Sequence, residues 1–429
     1  MRIDKTTIFS KEYATQLDEK DPLKSYRDRF HLPRQKNGET YIYLCGNSLG
    51  LQPTSTEKYI QQELEDWKNL GVEGHFHAQH PWMPYHEYLT EKMAKIVGAK
   101  PIEVVVMNTL SVNLHLLMVS FYRPTPERYK ILIESDAFPS DKYAVQSQLQ
   151  FHGYEADGLL ELQPRPGEEL LRAEDIDRVI AEEGDQIALI LIGCPNYYTG
   201  QVFDMKHIAE MGHAKGCVVG FDLAHGAGNL PLQLHDSGID FAAWCTYKYL
   251  NGGPGSVGGC FIHERHAHNA ELPRFAGWWG HNKATRFNMR YDFDPIPGAE
   301  GWQLSNPPIL SLAAILASLD IFEEVGMDAL VAKSRKLTGY LEELVHEIDD
   351  PRINIITPSQ PKERGCQLSL QVKNADRRLF EAISEKGVIA DWREPDVIRI
   401  APAPLYNSYM DVYRFAKVLR EELLVEGRK

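Results

Sequence analysis

Several large classes of protein are excluded by what this chain of 429 residues lacks. No apolar run approaches the roughly 20 residues that a membrane-spanning helix needs. No basic cluster offsets the net charge of −14, left by 46 Lys and Arg against 60 Asp and Glu. That charge opposes binding to nucleic-acid phosphates. The six cysteines, Cys45, Cys194, Cys217, Cys245, Cys260 and Cys366, form no C-x-x-C pair and fall mostly in apolar segments. They read as reduced core thiols. The first residues carry no apolar secretory region, so the expectation is a cytoplasmic protein. Internal repeats and low-complexity tracts are also missing.

Familiar catalytic signatures are equally scarce. The nucleotide loop G-x-x-x-x-G-K-[ST] does not occur, and the glycines from Gly252 to Gly259 have no lysine in the required place. The run His263-Glu264-Arg265-His266-Ala267 fails the zinc pattern H-E-x-x-H, because Ala267 stands at the second histidine position. The run His75-Phe76-His77-Ala78-Gln79-His80 has no convincing third ligand, so no metal is expected. Ser48, in Gly46-Asn47-Ser48-Leu49-Gly50, is a poor nucleophile candidate.

The chain does carry short apolar runs alternating with amphipathic stretches. Expected strands are 103–107, 129–133, 186–192, 217–222, 239–245 and 257–262. Expected helices are 56–70, 85–97, 112–121, 141–151, 173–183 and 205–215. Continuously apolar strands between helices predict an α/β fold with a mainly parallel sheet covered on both faces. A long helical stretch follows Pro307-Pro308, broken near Gly326 and resumed to about Ile348. Strands near 367–372 and 397–401, with helices near 377–385 and 409–422, predict a smaller α+β domain. The expected division is an N-terminal arm over 1–54 packing with the small domain, a large domain over 55–310, and the small domain over 311–429.

Two strand ends carry the chemistry. Lys248 follows the apolar run 239–245 and precedes Gly252-Gly253-Pro254-Gly255. Asp222 closes the strand before it, with His225 three residues on. A lysine at a strand end is ordinarily solvated, but a buried ammonium needs a covalent or ionic partner. Pyridoxal phosphate needs an amine to hold its aldehyde and a carboxylate to keep its ring nitrogen protonated. Lys248 and Asp222 are candidates for these groups, and the carboxyl ends of parallel strands are where ligands bind. The segment Asn108-Thr109-Leu110-Ser111-Val112-Asn113 opens a helix and is either an ordinary cap or a site that offers N–H groups and hydroxyls to a phosphate. Phe138, in Phe138-Pro139-Ser140-Asp141, offers an aromatic face for the ring, or else a loop anchor with a cap at Ser140 or Asp141. Arg399 lies within an apolar strand and needs an anion, either an internal carboxylate or that of an amino-acid substrate.

The segments taken in order resemble kynureninase, a fold-type-I pyridoxal phosphate enzyme with an aspartate-aminotransferase-like, three-layer large domain. The resemblance runs from about Tyr43 to Tyr406. It rests on Cys45-Gly46-Asn47-Ser48-Leu49-Gly50, Asn113-Leu114-His115-Leu116-Leu117, Phe138-Pro139-Ser140-Asp141 and Tyr197-Tyr198-Thr199-Gly200-Gln201. It continues with Gly220-Phe221-Asp222-Leu223-Ala224-His225, Tyr247-Lys248-Tyr249-Leu250-Asn251, Gly277-Trp278-Trp279-Gly280-His281, Ser305-Asn306-Pro307-Pro308 and Ile398-Arg399-Ile400-Ala401-Pro402. It implies pyridoxal 5'-phosphate as cofactor and hydrolysis of L-kynurenine, or its 3-hydroxy form, to an anthranilate and L-alanine. The pathway, tryptophan breakdown or NAD synthesis, stays open.

The resemblance further implies that Lys248 holds the cofactor, Asp222 pairs with the ring nitrogen, Phe138 stacks on the ring and His225 lies beside it. Leu110, Ser111 and Tyr247 would hold the phosphate end, and Pro139, Ser140 and Asp141 would also bind the cofactor. Trp278 and Asn306 would come from the other subunit of a homodimer. Ser48, His75, Asn306 and Arg399 would face the substrate. Tyr247 is a candidate proton donor or acceptor in the later steps. Two departures stand out. Ser111 replaces a frequent threonine and keeps the hydroxyl, and Gly193-Cys194-Pro195-Asn196 carries no serine to contact the cofactor. A cysteine desulfurase or aminotransferase on the same fold is the nearest rival, although Cys366 lies in a strand-like run. A cofactor-binding regulator would need a basic module that this chain lacks.

Overall fold

The computed structural model describes residues 5–373 and 377–426. Internal contacts group the chain into two units. The larger comprises Thr56–Tyr197 and Phe203–Glu324, and the smaller Met1–Ser55, Tyr198–Val202 and Val325–Lys429.

The larger unit is built on a seven-stranded sheet. In spatial order its strands are Val104–Val106, Gly259–Ile262, Phe241–Trp244, Val218–Asp222, Ile187–Gly193, Lys130–Glu134 and Leu159–Leu162. Neighbouring pairs are parallel except at Gly259–Ile262, which runs antiparallel to both of its neighbours. The central strands read as unbroken apolar runs because helices cover both faces. Ile187 through Ile192 are all buried. Val105, Ile131, Leu189 and Phe241 share one core with Leu117, Phe121, Val145 and Trp302.

Of the six helices expected before residue 216, Thr56–Leu70 and Ala173–Glu183 occupy the expected residues, and the other four shift by one or two residues at an end. The strand Leu159–Leu162 was not foreseen. It is an edge strand whose residues are mostly half-buried, so its apolar signal is weak.

The large unit extends beyond the expected boundary at residue 310. Helix Ile309–Val325 has buried residues nearly all round, from Leu312 through Leu319 and at Ile321 and Phe322. Ser311 Oγ accepts from Val257 N–H at 3.2 Å, so the helix belongs with the sheet. Gly326, with φ at +78°, ends this stretch before helix Met327–Ile348 begins.

The smaller unit has a four-stranded antiparallel sheet in the order Asp391–Arg393, Val397–Ile400, Leu368–Val372 and Ile353–Ile355. Its core joins Leu368, Leu370, Ile398 and Ile400 to Leu337 and Leu341 of Met327–Ile348 and to Phe415 and Leu419 of Tyr409–Glu426. The N-terminal arm contributes through Ala14, Ile42 and Leu44. Asp18 caps the last helix, accepting from Tyr409 N–H at 2.7 Å and Met410 N–H at 3.1 Å. Among the described residues no helix is long and apolar enough to cross a membrane.

Gly220 shows how tightly the sheet determines the site. It is paired in register with Phe241, and a Cβ there would lie 2.2 Å from Phe241 Cζ. Gly220→Ala should therefore lower stability by about 1–3 kcal/mol. The check is a lower urea midpoint at unchanged slope. An unchanged midpoint would mean that the ring has room to move aside.

Candidate active site

Three adjacent parallel strands end in Glu134, Gly193 and Asp222, and the next is followed closely by Lys248. Gly193 pairs with Asp222, and Asp222 with Ala243, so these ends lie side by side. The loop after Phe241–Trp244 is folded back on itself. Gly252 N–H bonds to Thr246 C=O at 2.9 Å, and the Thr246 hydroxyl meets Ser256 Oγ and Val257 C=O, each at 2.6 Å. This fixes the backbone that carries Lys248.

A cavity of about 200 Å³ lies beyond these ends. Its lining brings together Leu110, Ser111, Phe138, Ser140, Asp141, Asp222, His225, Tyr247 and Lys248, nine of the residues expected from the sequence. Lys248 Nζ lies 3.0 Å from His225 Nε2 and 5.8 Å from the Phe138 ring centre. Phe138 meets Tyr197 edge-on at 5.2 Å, which sets its plane.

Two helix N-termini converge on the same cavity. In Leu110–Phe121 the first backbone bond runs from Asn113 N–H to Thr109 C=O, at 2.9 Å, so the N–H groups of residues 110–112 precede the ladder. The second helix, Pro139–Phe151, starts at a proline, whose missing N–H is no loss at that position. Ser111 Oγ and Ser140 Oγ, one from each first turn, stand 2.8 Å apart. Such a pair of hydroxyls at two positive helix ends suits a phosphate.

The charges are unevenly matched. Asp222 Oδ1 accepts from Ala224 N–H at 2.6 Å, and Asp141 donates a hydrogen bond to Asp222. Burial, then the charge and hydrogen bond of Asp222, push the Asp141 carboxyl well up, so Asp141 holds the proton of the pair. Burial raises Asp222 as well, while Asp141, Ala224 N–H and the Lys248 charge pull it down. Asp141 Oδ1 is buried without a hydrogen-bond partner. Burial, followed by the neighbouring Cys245, raises the Tyr247 hydroxyl, which therefore stays protonated at neutral pH.

The other expected residues lie elsewhere. Trp278 and Asn306 are exposed and do not line this cavity; Trp278 Nε1 donates to Arg286 C=O at 3.0 Å. His75 packs against Trp82 at 5.4 Å, and its Nδ1 lies 2.9 Å from Val72 C=O. Ser48 and Arg399 belong to the smaller unit. Arg399 is buried and forms an ion pair with Asp391, its register partner on the adjacent strand. Ser48 is exposed and interacts with the Cys45 thiol. Although residues 46–50 do spell G-x-S-x-G, the next helix begins only at Thr56, so the tight strand–turn–helix that activates such a serine is missing.

Glu134 was missed, because the expected strand stopped at residue 133. A carboxylate closing an apolar strand, as Asp222 does, was the available signal. Among the described residues two clusters could offer three metal ligands, Glu103 with His235 and His263, and His86 with Glu87 and Glu300. In the first, His235 Nδ1 already lies 2.9 Å from Glu103 Oε1. In the second, Lys283 Nζ supplies a cation at 2.7 Å from Glu300 Oε1.

Comparison with known proteins supplies relatives. Residues 330–419 match the family model described as the kynureninase C-terminal domain. A kynureninase of Myxococcus xanthus is 60% identical over 411 residues, covering 96% of each chain. One from Nematostella vectensis is 50% identical over 435 residues, covering 96% of this chain and 94% of that one. Among solved structures, an apo cysteine desulfurase of Thermococcus onnurineus NA1 superposes with a TM-score of 0.74 at 17% identity, covering 96% of this chain and 98% of that one. A C-DES variant with glycine covalently linked to its PLP cofactor gives a TM-score of 0.74 at 17% identity, over 88% of this chain and 96% of that one. These likenesses establish the fold as that of this structural class.

The serine pair makes the phosphate cup testable without substrate. Ser111→Ala should weaken binding of a phosphate monoester on the order of tenfold, the worth of one hydrogen bond to a charged group. Calorimetry would measure it, and an unchanged affinity would remove Ser111 from the cup.

Proposed function

The chain belongs to the kynureninase family, and from that premise we propose that Lys248, Asp222 and Tyr247 carry its chemistry. The activity is the pyridoxal-phosphate-dependent hydrolytic cleavage of the Cβ–Cγ bond of L-kynurenine, giving anthranilate and L-alanine. The observation that carries the residue assignments is one cavity lined jointly by Lys248, Asp222, Phe138 and Ser111. The residues fit the cofactor: the serine pair suits its phosphate, and the unpartnered Asp141 Oδ1 marks a polar wall awaiting a ligand. When bound, pyridoxal phosphate supplies an aldehyde for the amine and a ring that stores the electrons released at Cα.

Lys248 Nζ would hold the aldehyde, and as a free amine it would be the base that takes the Cα proton. Asp222, kept anionic by the proton resident on Asp141, holds the ring nitrogen in its charged form. Phe138 presents its face to the ring, and His225 orients the lysine amine. Leu110, Ser111 and Ser140 bind the phosphate end, with Pro139 starting the second helix. Tyr247, neutral over the working range, donates a hydrogen bond or a proton rather than acting as a standing base. Water adds to the aryl ketone of the substrate; as the Cβ–Cγ bond then breaks, Cγ leaves as the carboxylic acid of anthranilate, and Cβ keeps the electron pair and takes a proton on the way to alanine.

Arg399 would take the substrate carboxylate beside Asp391, and Ser48, His75 and Asn306 would meet the remainder of the substrate. The 3-hydroxy form is a second substrate to be compared through kcat/KM. A desulfurase would need a mobile cysteine, whereas Cys366 is buried. A cytoplasmic location fits six cysteines that form no disulfide. A homodimer that shares Trp278 and Asn306 across its interface fits the exposure of both, and of Phe275, Phe287 and Met289 nearby in sequence.

Lys248→Ala should lower kynurenine turnover on the order of a thousandfold or more. Anthranilate fluorescence is the readout, and borohydride should fix the cofactor to this lysine in the unmodified enzyme. Full turnover by the variant would end the assignment. Light scattering should give twice the chain mass, and a fully active monomer would remove the shared-site part of the proposal.

A further inference from the structure

Glu134 has no part in the chemistry above, yet it lines the same cavity and is 3% exposed. It closes the strand Lys130–Glu134, and the strand beside it ends at Gly193. Both carboxylate oxygens accept from Gly193 N–H, at 3.1 and 3.2 Å, and Asn196 adds a side-chain hydrogen bond. A Cβ on Gly193 would lie 2.8 Å from Glu134 Oε1. The carboxyl therefore fills the space that a side chain at 193 would take. Gly193 is in turn the register partner of Asp222, and register partners in a sheet face the same side. Glycine at 193 thus lets Glu134 reach across one strand toward Asp222.

We propose that Glu134 is a positioning residue for Asp222, the outer member of a chain of three carboxyls, Glu134, Asp222 and Asp141, whose protons set the charge presented to the cofactor ring nitrogen. This rests on the reading of the cavity as the pyridoxal phosphate site and deepens it. The titratable groups around Glu134 are Asp222, one strand further across the sheet, Cys194, just after Gly193, and Asp141 from the helix Pro139–Phe151. Lys248 supplies the ammonium acting on Asp141 and Asp222, with His225 beside it. Burial lifts Glu134 to about 7; its own backbone N–H, Gly193 N–H and Asn196 oppose the rise, and the Asp222 charge adds to it.

The sign follows from these partners. Below about pH 7 Glu134 is neutral, and above it a negative charge appears beside Asp222. A nearby negative charge favours a protonated ring nitrogen. As the medium becomes more alkaline, Glu134 therefore helps the site to keep that proton. Removing its charge should let the ring nitrogen deprotonate at lower pH.

The test uses Glu134→Gln, which keeps the size and removes the charge. With pyridoxal phosphate labelled with nitrogen-15 at the ring, magnetic resonance follows ring protonation from pH 6 to 10 in both holoenzymes. The expected midpoint in the variant is lower by roughly one pH unit, a tenfold weaker hold on the proton. In the cofactor-free protein, infrared spectroscopy should show a carboxylic acid band that fades through about pH 7 and is missing in the variant. Should Glu134→Gln not fold, Gly193→Ala displaces the same carboxyl and should shift that band. Coincident ring titrations, or no band fading near neutrality in the unmodified protein, would overturn the proposal. Failure of the unmodified enzyme to fix cofactor on Lys248 would overturn the cofactor reading, while the infrared result would still stand or fall on its own.

Discussion

The site depends on a balance between one ammonium and three carboxyls at the carboxyl edge of a single sheet. Burying even one unpaired charge is expensive, and like charges in a region of low dielectric repel strongly. Lys248 can balance one carboxylate. Asp141 escapes the penalty by holding a proton that it donates in a hydrogen bond to Asp222. Glu134, near pH 7, is the member able to change state. The result is an Asp222 kept anionic within a group that is otherwise close to neutral. A lone buried aspartate would be driven toward its neutral form, and a fully ionised trio would strain the fold.

The sheet makes this arrangement possible. Parallel strands deliver all their carboxyl ends to one edge, so residues distant in sequence meet without long loops. The one antiparallel strand, Gly259–Ile262, returns the chain immediately after the loop that holds Lys248. The lysine is therefore anchored on both sides by sheet. The phosphate cup arises from the same logic, since each helix following a strand begins at that edge, and two of them bring Ser111 and Ser140 together.

Much of this was legible in the residues. Lys248 and Asp222 each follow an apolar run, and apolar runs of strand length between helical patterns are the strongest local signal of a buried parallel sheet. Gly326 and the proline pair before Ile309 punctuate the long helices plainly. The less legible parts share a physical cause. Glu134 lies at a strand end, where a boundary error of one residue hides a functional carboxylate. Leu159–Leu162 is a half-buried edge strand whose pairing, not its composition, creates it. Asp391, the partner of Arg399, becomes visible only once the register of two antiparallel strands is known. Trp278 and Asn306 are exposed and do not line the cavity, so the chain's own packing gives them no role in it.

The frame superposes on cysteine desulfurases at 17% identity, so the frame alone does not choose the reaction. The thiols of this chain narrow that choice. Burial raises Cys245, beside the lysine loop, to about 11 and Cys194, between the cavity-lining Gly193 and Pro195, to about 12. The thiolate is the reactive form of cysteine, and at neutral pH these two groups hold almost none. Near the cavity, what can exchange protons with a substrate is instead the amine of Lys248, the neutral hydroxyl of Tyr247 and the carboxyl chain. These groups suit a reaction that removes one proton, adds water to a ketone and returns a proton to carbon. They do not suit one that passes sulfur to a nucleophilic thiolate. The choice between chemistries on this fold therefore lies in which side chains surround a common amine and carboxylate.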